Sequence, residues 1–168
     1  MNDCERLRTE RLVFYSRDIE RIESVLSDII QLSRARSAFL IDKEGHLVAH
    51  AGEQSSMNTD TLSALVAGSF AATREMAKLL GEEEFSVMFH QGQVDNIQLT
   101  LIDERTILTV IFDDQTQLGM VRLYSQEAAR SLAVIFADPE RGPAQEDQVD
   151  LGDDFEQKSR DSLDGVFG

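Results

Sequence analysis

Three histidines, a single cysteine and the carboxylate runs at 82–84 and 113–114 are the residues considered first for chemistry. His46 and His50 stand four apart in an apolar-rich run that reads as a strand. That spacing puts them on one face about 13 Å apart, too far to chelate one metal, so both read as hairpin or surface histidines. His90 lies near a strand end beside Gly92 with no cysteine or second histidine close in sequence, and reads as structural. Asp113 and Asp114 could in principle bind a hard cation, but calcium wants about six or more oxygens from a loop of defined spacing. A strand-to-helix connection, where negative charge favours a helix start, explains this pair better. Glu82, Glu83 and Glu84 read as a solvated turn. Cys4 is the only cysteine, which excludes a disulfide or a cysteine-rich zinc site within one chain and leaves a free thiol. No P-loop, dinucleotide glycine fingerprint, zinc-protease helix or nucleophile elbow occurs. These residues point away from an enzyme, and toward no metal or cofactor of the chain's own.

Composition narrows the partners. The formal charge of -15, from 31 acidic and 16 basic residues, repels phosphate backbones and anionic headgroups, which argues against nucleic acid and membrane. No apolar run approaches the roughly 18 residues of a membrane span, and the start lacks the basic-then-apolar order of a secretion signal, so the expected location is the cytoplasm. With 42% hydrophobic residues among 168, one domain with a sizeable core is expected.

Helical spacing appears from Arg17 to Arg36, where Ile19, Ile22, Leu26, Ile29 and Leu32 recur behind Ser16 as N-cap. Two short apolar runs, residues 37–41 and 46–50, flank Asp42-Lys43-Glu44-Gly45 and predict a hairpin. A second helix is expected from Thr61 to Leu80, capped by Asp60 and stopped by Gly81. Three strands follow over residues 85–90, 96–102 and 106–112. In the middle one, Ile97, Leu99 and Leu101 alternate with Gln98 and Thr100, which predicts one buried and one wet face. A last helix runs from about Thr116 to Asp138-Pro139. The fold class is therefore α/β of the α+β type: α-β-β-α-β-β-β-α, a five-stranded, antiparallel-rich sheet with helices on both faces. From Asp138 on, ten acidic and three basic residues without sustained periodicity predict a disordered tail, residues 138–168. Its end, Ser162 to Phe167, concentrates apolar Leu163, Val166 and Phe167 among acids, a pattern able to fold onto a partner. Residues 1–11 read as a flexible N-terminus and 12–137 as the domain.

The middle helix carries most of the information. Leu62, Leu65, Val66, Met76, Leu79 and Leu80 supply an apolar side. Ala64, Gly68, Ala71 and Glu75 follow at i, i+4, i+7 and i+11 as a separate stripe, which predicts two faces with two neighbours. Small residues let another backbone approach, and a mid-helix glycine costs about 1 kcal/mol relative to alanine. Ala67 and Ala72 fit equally well as residues that let the helix lie close on its own sheet.

These residues resemble the roadblock/dynein-light-chain family, and within it a bacterial branch that regulates a Ras-like GTPase. The resemblance is carried by Phe39 to Gly45, Leu62 to Gly68, Ala77 to Glu82, Glu84-Phe85, Phe89 to Gly92, and Val110 to Asp113 through Leu118 to Leu123. It implies a homodimer joined through the third strands, with Phe85, Val87 and Phe89 as the pairing residues and the two middle helices side by side. It further implies that this dimer docks a GTP-loaded, MglA-like small GTPase on Ala64, Gly68, Ala71, Arg74, Glu75 and Lys78. Hydrolysis would be accelerated by ordering the GTPase's own switch residues, without an arginine finger, so Arg74 reads as an ordinary interface charge. The Arg74-Glu75 pair departs from the smaller residues expected there. GTP and magnesium would belong to the partner, and the tail motif Leu163, Val166 and Phe167 would contact the GTPase away from the nucleotide and aid exchange. A role in bacterial polarity and motility, concentrated at a cell pole, follows from the same resemblance. A non-catalytic roadblock scaffold needs the same dimer and the same helix. A small-molecule sensor of profilin-like architecture ranks last, since the sequence shows no convergent polar pocket.

Overall fold

The structure, a computed structural model, describes residues 16–53 and 56–137. The expected N-terminus (1–11), the tail (138–168), Cys4 and the motif residues Leu163, Val166 and Phe167 lie outside the described residues.

Helix α1, Ser16–Ser33, buries Ile22, Leu26 and Ile29 at helical spacing. It ends three residues before the expected Arg36. The Ser33 hydroxyl donates to Ile29 O at 2.6 Å and accepts from Ala35 N, and Arg34 turns the chain at φ 60°. Leu32, expected in the core, is half exposed. Strands β1, Ser37–Asp42, and β2, Leu47–Gly52, form the expected antiparallel hairpin. Its turn is tied by the Asp42 carboxylate, which accepts from Glu44 N at 3.0 Å and His46 N at 2.9 Å, with Gly45 at φ +93°.

Helix α2, Thr59–Leu79, is capped by Asn58 rather than Asp60. Asn58 has extended backbone and its side chain accepts from Thr61 N at 3.1 Å, whereas Asp60 sits inside the first turn, where its charge suits the helix dipole. At the other end Glu82 N donates to Ala77 O and Gly81 N to Lys78 O, a closure that needs the positive φ of Gly81.

Strands β3, Val87–Gln91, β4, Asp95–Leu101, and β5, Thr106–Asp113, complete an all-antiparallel sheet in the order β2-β1-β5-β4-β3. Helix α3, Leu118–Phe136, returns with Val121, Ala128, Leu132 and Ile135 buried. One core unites α1 and α3 with Leu40, Leu108, Val110 and Phe112 of the sheet. A second, on the opposite face, unites Val66 and Phe70 of α2 with Phe39, Ile41, Leu99, Ile107 and Ile111. The sheet is thus sandwiched, as its near-continuous burial in β1 and β5 requires.

Burial on both faces corrects the reading of β4. Gln98 and Thr100 are not wet: they are 2% and 5% exposed. Each pairs with a residue of the core under α1 and α3, Gln98 opposite Val110 and Thr100 opposite Leu108. The Gln98 carbonyl oxygen and the Thr100 hydroxyl find no hydrogen-bond partner there. Alternation in the sequence marked two faces correctly but not that a helix covers the polar one.

Candidate functional site

Helix α2 turns about 100° per residue, and that sorts its side chains. Ser63, Val66, Phe70 and Ala77 form one buried row on the sheet, with Ala67 buried beside it. Leu65, Met76, Leu79 and Leu80 are 65%, 51%, 88% and 73% exposed, so the leucines and methionine of the expected apolar side mostly face solvent. Phe70 supplies the bulk on the sheet side, and its place between Val66 and Ala77 in a helical row was the available signal. Leu62 alone of that expected side beyond Val66 packs partly against the core.

Ala64, Gly68, Ala71 and Glu75 are all exposed. Their stripe lies about a quarter turn from the row of Leu65, Ala72, Met76 and Leu79, so the two adjoin on the outer side of α2 rather than facing opposite neighbours. Ala67 and Ala72 part company: Ala67 lies on the sheet and Ala72 faces outward. The resulting surface is apolar and low. A β-carbon on Gly68 would meet nothing within 4 Å, so no packing within the described chain requires glycine there. Ala64 has a neighbour of its own: the β1–β2 turn brings Gly45 against its backbone.

Charge gathers toward the C-terminal end of α2. Lys78 donates to Glu75 at 2.9 Å, and this hydrogen bond and the ammonium charge hold the Glu75 carboxyl below its ordinary value. Arg74 stands 3.9 Å from Glu84, which ties Glu84 to the helix rather than leaving it in the solvated turn with Glu82 and Glu83. At the opposite end of the helix, Arg36 binds Asp95 at 2.5 Å and Glu53 at 3.3 Å. Both carboxylates raise its pKa further above the usual arginine value, Asp95 the more strongly.

Strand β3 is an edge of the sheet, paired only with β4 among the described residues. Val87 and Phe89 belong to it, Val87 exposed and Phe89 stacked on Phe112 with ring centroids 6.0 Å apart. Phe85 does not: the strand begins two residues later, although Ser86 O still accepts from Leu101 N at 2.8 Å.

The histidines are dispersed. His50 stacks on Phe39, His90 is exposed in β3, and His46 precedes β2 rather than sharing a strand with His50. The hairpin turn instead assembles Asp42, Glu44 and His46, with one donor atom from each within 4.8 Å of the others. Sequence reading missed this group because a turn, not a strand period, brings the three together. Asp113 accepts from Gln115 N at 2.9 Å in the connection to α3, a turn role rather than a helix start. No helix among the described residues is long and apolar enough to cross a membrane.

Residues 21–112 match the family model of the Roadblock/LC7 domain. Among solved structures, the chain is similar to Myxococcus xanthus MglB at 39% identity, with 74% of this chain and 94% of that chain covered and a TM-score of 0.71. It is similar to the gliding protein MglB of Thermus thermophilus at 38% identity, with the same coverage and TM-score. A Roadblock/LC7 domain from Streptomyces avermitilis shares the fold at 15% identity, covering 66% of this chain and 92% of that one, with a TM-score of 0.60. No curated protein matches the chain.

Proposed function

The chain belongs to the Roadblock/LC7 domain family, and from that premise we propose that it regulates a Ras-like, MglA-like small GTPase as a homodimer. Similarity to MglB structures over about three quarters of the chain supports this reading. The observation that carries the docking surface is Gly68. A glycine in mid-helix costs about 1 kcal/mol relative to alanine, yet a methyl group there would meet open space within the chain. Ala64 and Ala71 flank it on the same exposed stripe, with Arg74, Glu75 and Lys78 at its charged end.

In this reading two β3 edges pair, which removes an otherwise open edge and brings two α2 helices side by side. The GTP-loaded GTPase docks on the paired helices. Its own switch residues are held in the reactive arrangement, so the rate gain comes from positioning and not from a donated arginine. Arg74, engaged with Glu84, serves as an interface charge. The tail motif Leu163, Val166 and Phe167 touches the GTPase away from the nucleotide and aids exchange. A role in bacterial polarity and motility belongs to the same reading.

Mixing the purified full-length chain with an MglA-like GTPase and timing GTP loss tests it. Acceleration that saturates with dimer concentration is the expected result. Saturable binding with unchanged turnover would replace activation with the scaffold reading, and no binding would remove both.

A further inference from the structure

The β1–β2 turn gathers two carboxylates and an imidazole. Asp42 at the end of β1, Glu44 in the turn and His46 before β2 each offer one donor atom, and the three atoms lie within 4.8 Å of one another. His46 Nδ1 stands 3.2 Å from Asp42 Oδ2 and 4.0 Å from Glu44 Oε2. A tetrahedral ion with bonds of about 2.0–2.1 Å sets neighbouring ligands about 3.3 Å apart, so the first pair already has the required separation and the second must close by less than about 1 Å. The side chain that has to move is free to do so, since that of Glu44 is 65% exposed and that of Asp42 only 17%. The other Asp42 oxygen is committed to the backbone. Oδ1 accepts from Glu44 N at 3.0 Å and His46 N at 2.9 Å, which fixes the ligand-bearing turn and leaves Oδ2 beside the imidazole. Charge also asks for a cation there. Among the described residues neither Asp42 nor Glu44 forms an ion pair with a lysine or arginine, whereas the convergent carboxylates of Glu53 and Asp95 share Arg36.

We propose that this turn binds one divalent transition ion of the zinc class through Asp42 Oδ2, Glu44 Oε2 and His46 Nδ1, with solvent completing the shell. An imidazole nitrogen beside two carboxylates favours such an ion over magnesium and calcium, which take oxygen shells. Glu44 and His46 are both exposed, so the ion reaches the site from solvent. Binding would also brace the hairpin against α2, because Gly45, between two of the ligands, rests on Ala64. The site does not depend on what docks on α2.

The test uses the full-length chain in a Cys4→Ser background, stripped of metal by a chelator and titrated with zinc chloride under calorimetry and histidine side-chain NMR. One equivalent should bind ahead of any weaker sites, shifting the ring resonances of His46 and leaving those of His90 in place. His46→Gln and Glu44→Gln, both at exposed positions, should each weaken binding about tenfold or more, and His90→Gln should not change it. A large excess of magnesium should fail to displace the zinc. Unchanged binding in His46→Gln or Glu44→Gln, displacement by magnesium, an equal loss in His90→Gln, or no saturation by about 1 mM zinc would each overturn the proposal. The first two of these would leave the turn an ordinary cluster of surface charges.

Discussion

Gly45, in the β1–β2 turn, rests on Ala64 of α2: a β-carbon on Gly45 would lie 3.0 Å from the Ala64 α-carbon. The turn of a hairpin and the first half of α2 are thereby one unit, and the small residue at position 64 has an internal reason. Gly45 also sits at φ +93°, where other residues are strained. Gly45→Ala should destabilise the chain by about 1–3 kcal/mol, read by denaturant unfolding, through strain and contact together.

If the GTPase docks on the outer face of α2 as proposed, substitutions there should change docking without changing folding. Ala71 is exposed and has no structural duty in the core. Ala71→Arg should weaken GTPase binding by at least about a hundredfold, since a long charged side chain would stand in a low, apolar footprint. The dimer, measured by light scattering, should persist. Undiminished binding by this variant would place the GTPase on another face.

Phe70 and Leu79 give a paired test of which side of α2 is core. Phe70→Ala should cost about 3–5 kcal/mol, because the ring is 6% exposed and its removal leaves a cavity against Phe39 and Ile111. Leu79→Ala, at an 88% exposed position, should change unfolding of the monomer by less than about 0.5 kcal/mol.

The Glu75–Lys78 pair has a pH signature. The Glu75 carboxyl titrates below its ordinary value of 4.5, first through its hydrogen bond to Lys78 and second through the ammonium charge. Its pairing is therefore fully present above 4.5 and is lost as pH falls through the lowered value. An NMR titration of Glu75 should move up toward the ordinary value in Lys78→Ala, and an unchanged midpoint would disprove the coupling.

Gln98 is buried with its carbonyl oxygen unpartnered. Gln98→Met keeps the length while removing the unsatisfied acceptor, so unfolding should show unchanged stability or a gain of about 1–2 kcal/mol. A loss beyond about 1 kcal/mol would mean that the amide is hydrogen-bonded in solution, to water held between β4 and α3.

By itself the sequence determined the order and kind of the elements among the described residues, because local periodicity is written in consecutive residues. Ile22, Leu26 and Ile29 announce α1 by their spacing alone, and the Asp42–Gly45 turn announces the hairpin. The exposed stripe of Ala64, Gly68, Ala71 and Glu75 was legible for the same reason. What only the tertiary structure decided is which face of each element meets another layer. Leu65 and Leu79 look like core and are not, since Val66 and Phe70 lie on the side of α2 that the sheet reaches. Gln98 and Thr100 look wet and are buried, since α1 and α3 close the second face. Hydrophobicity is a property of a residue, but burial is a relation between elements distant along the chain. The contact of Gly45 with Ala64 is such a relation.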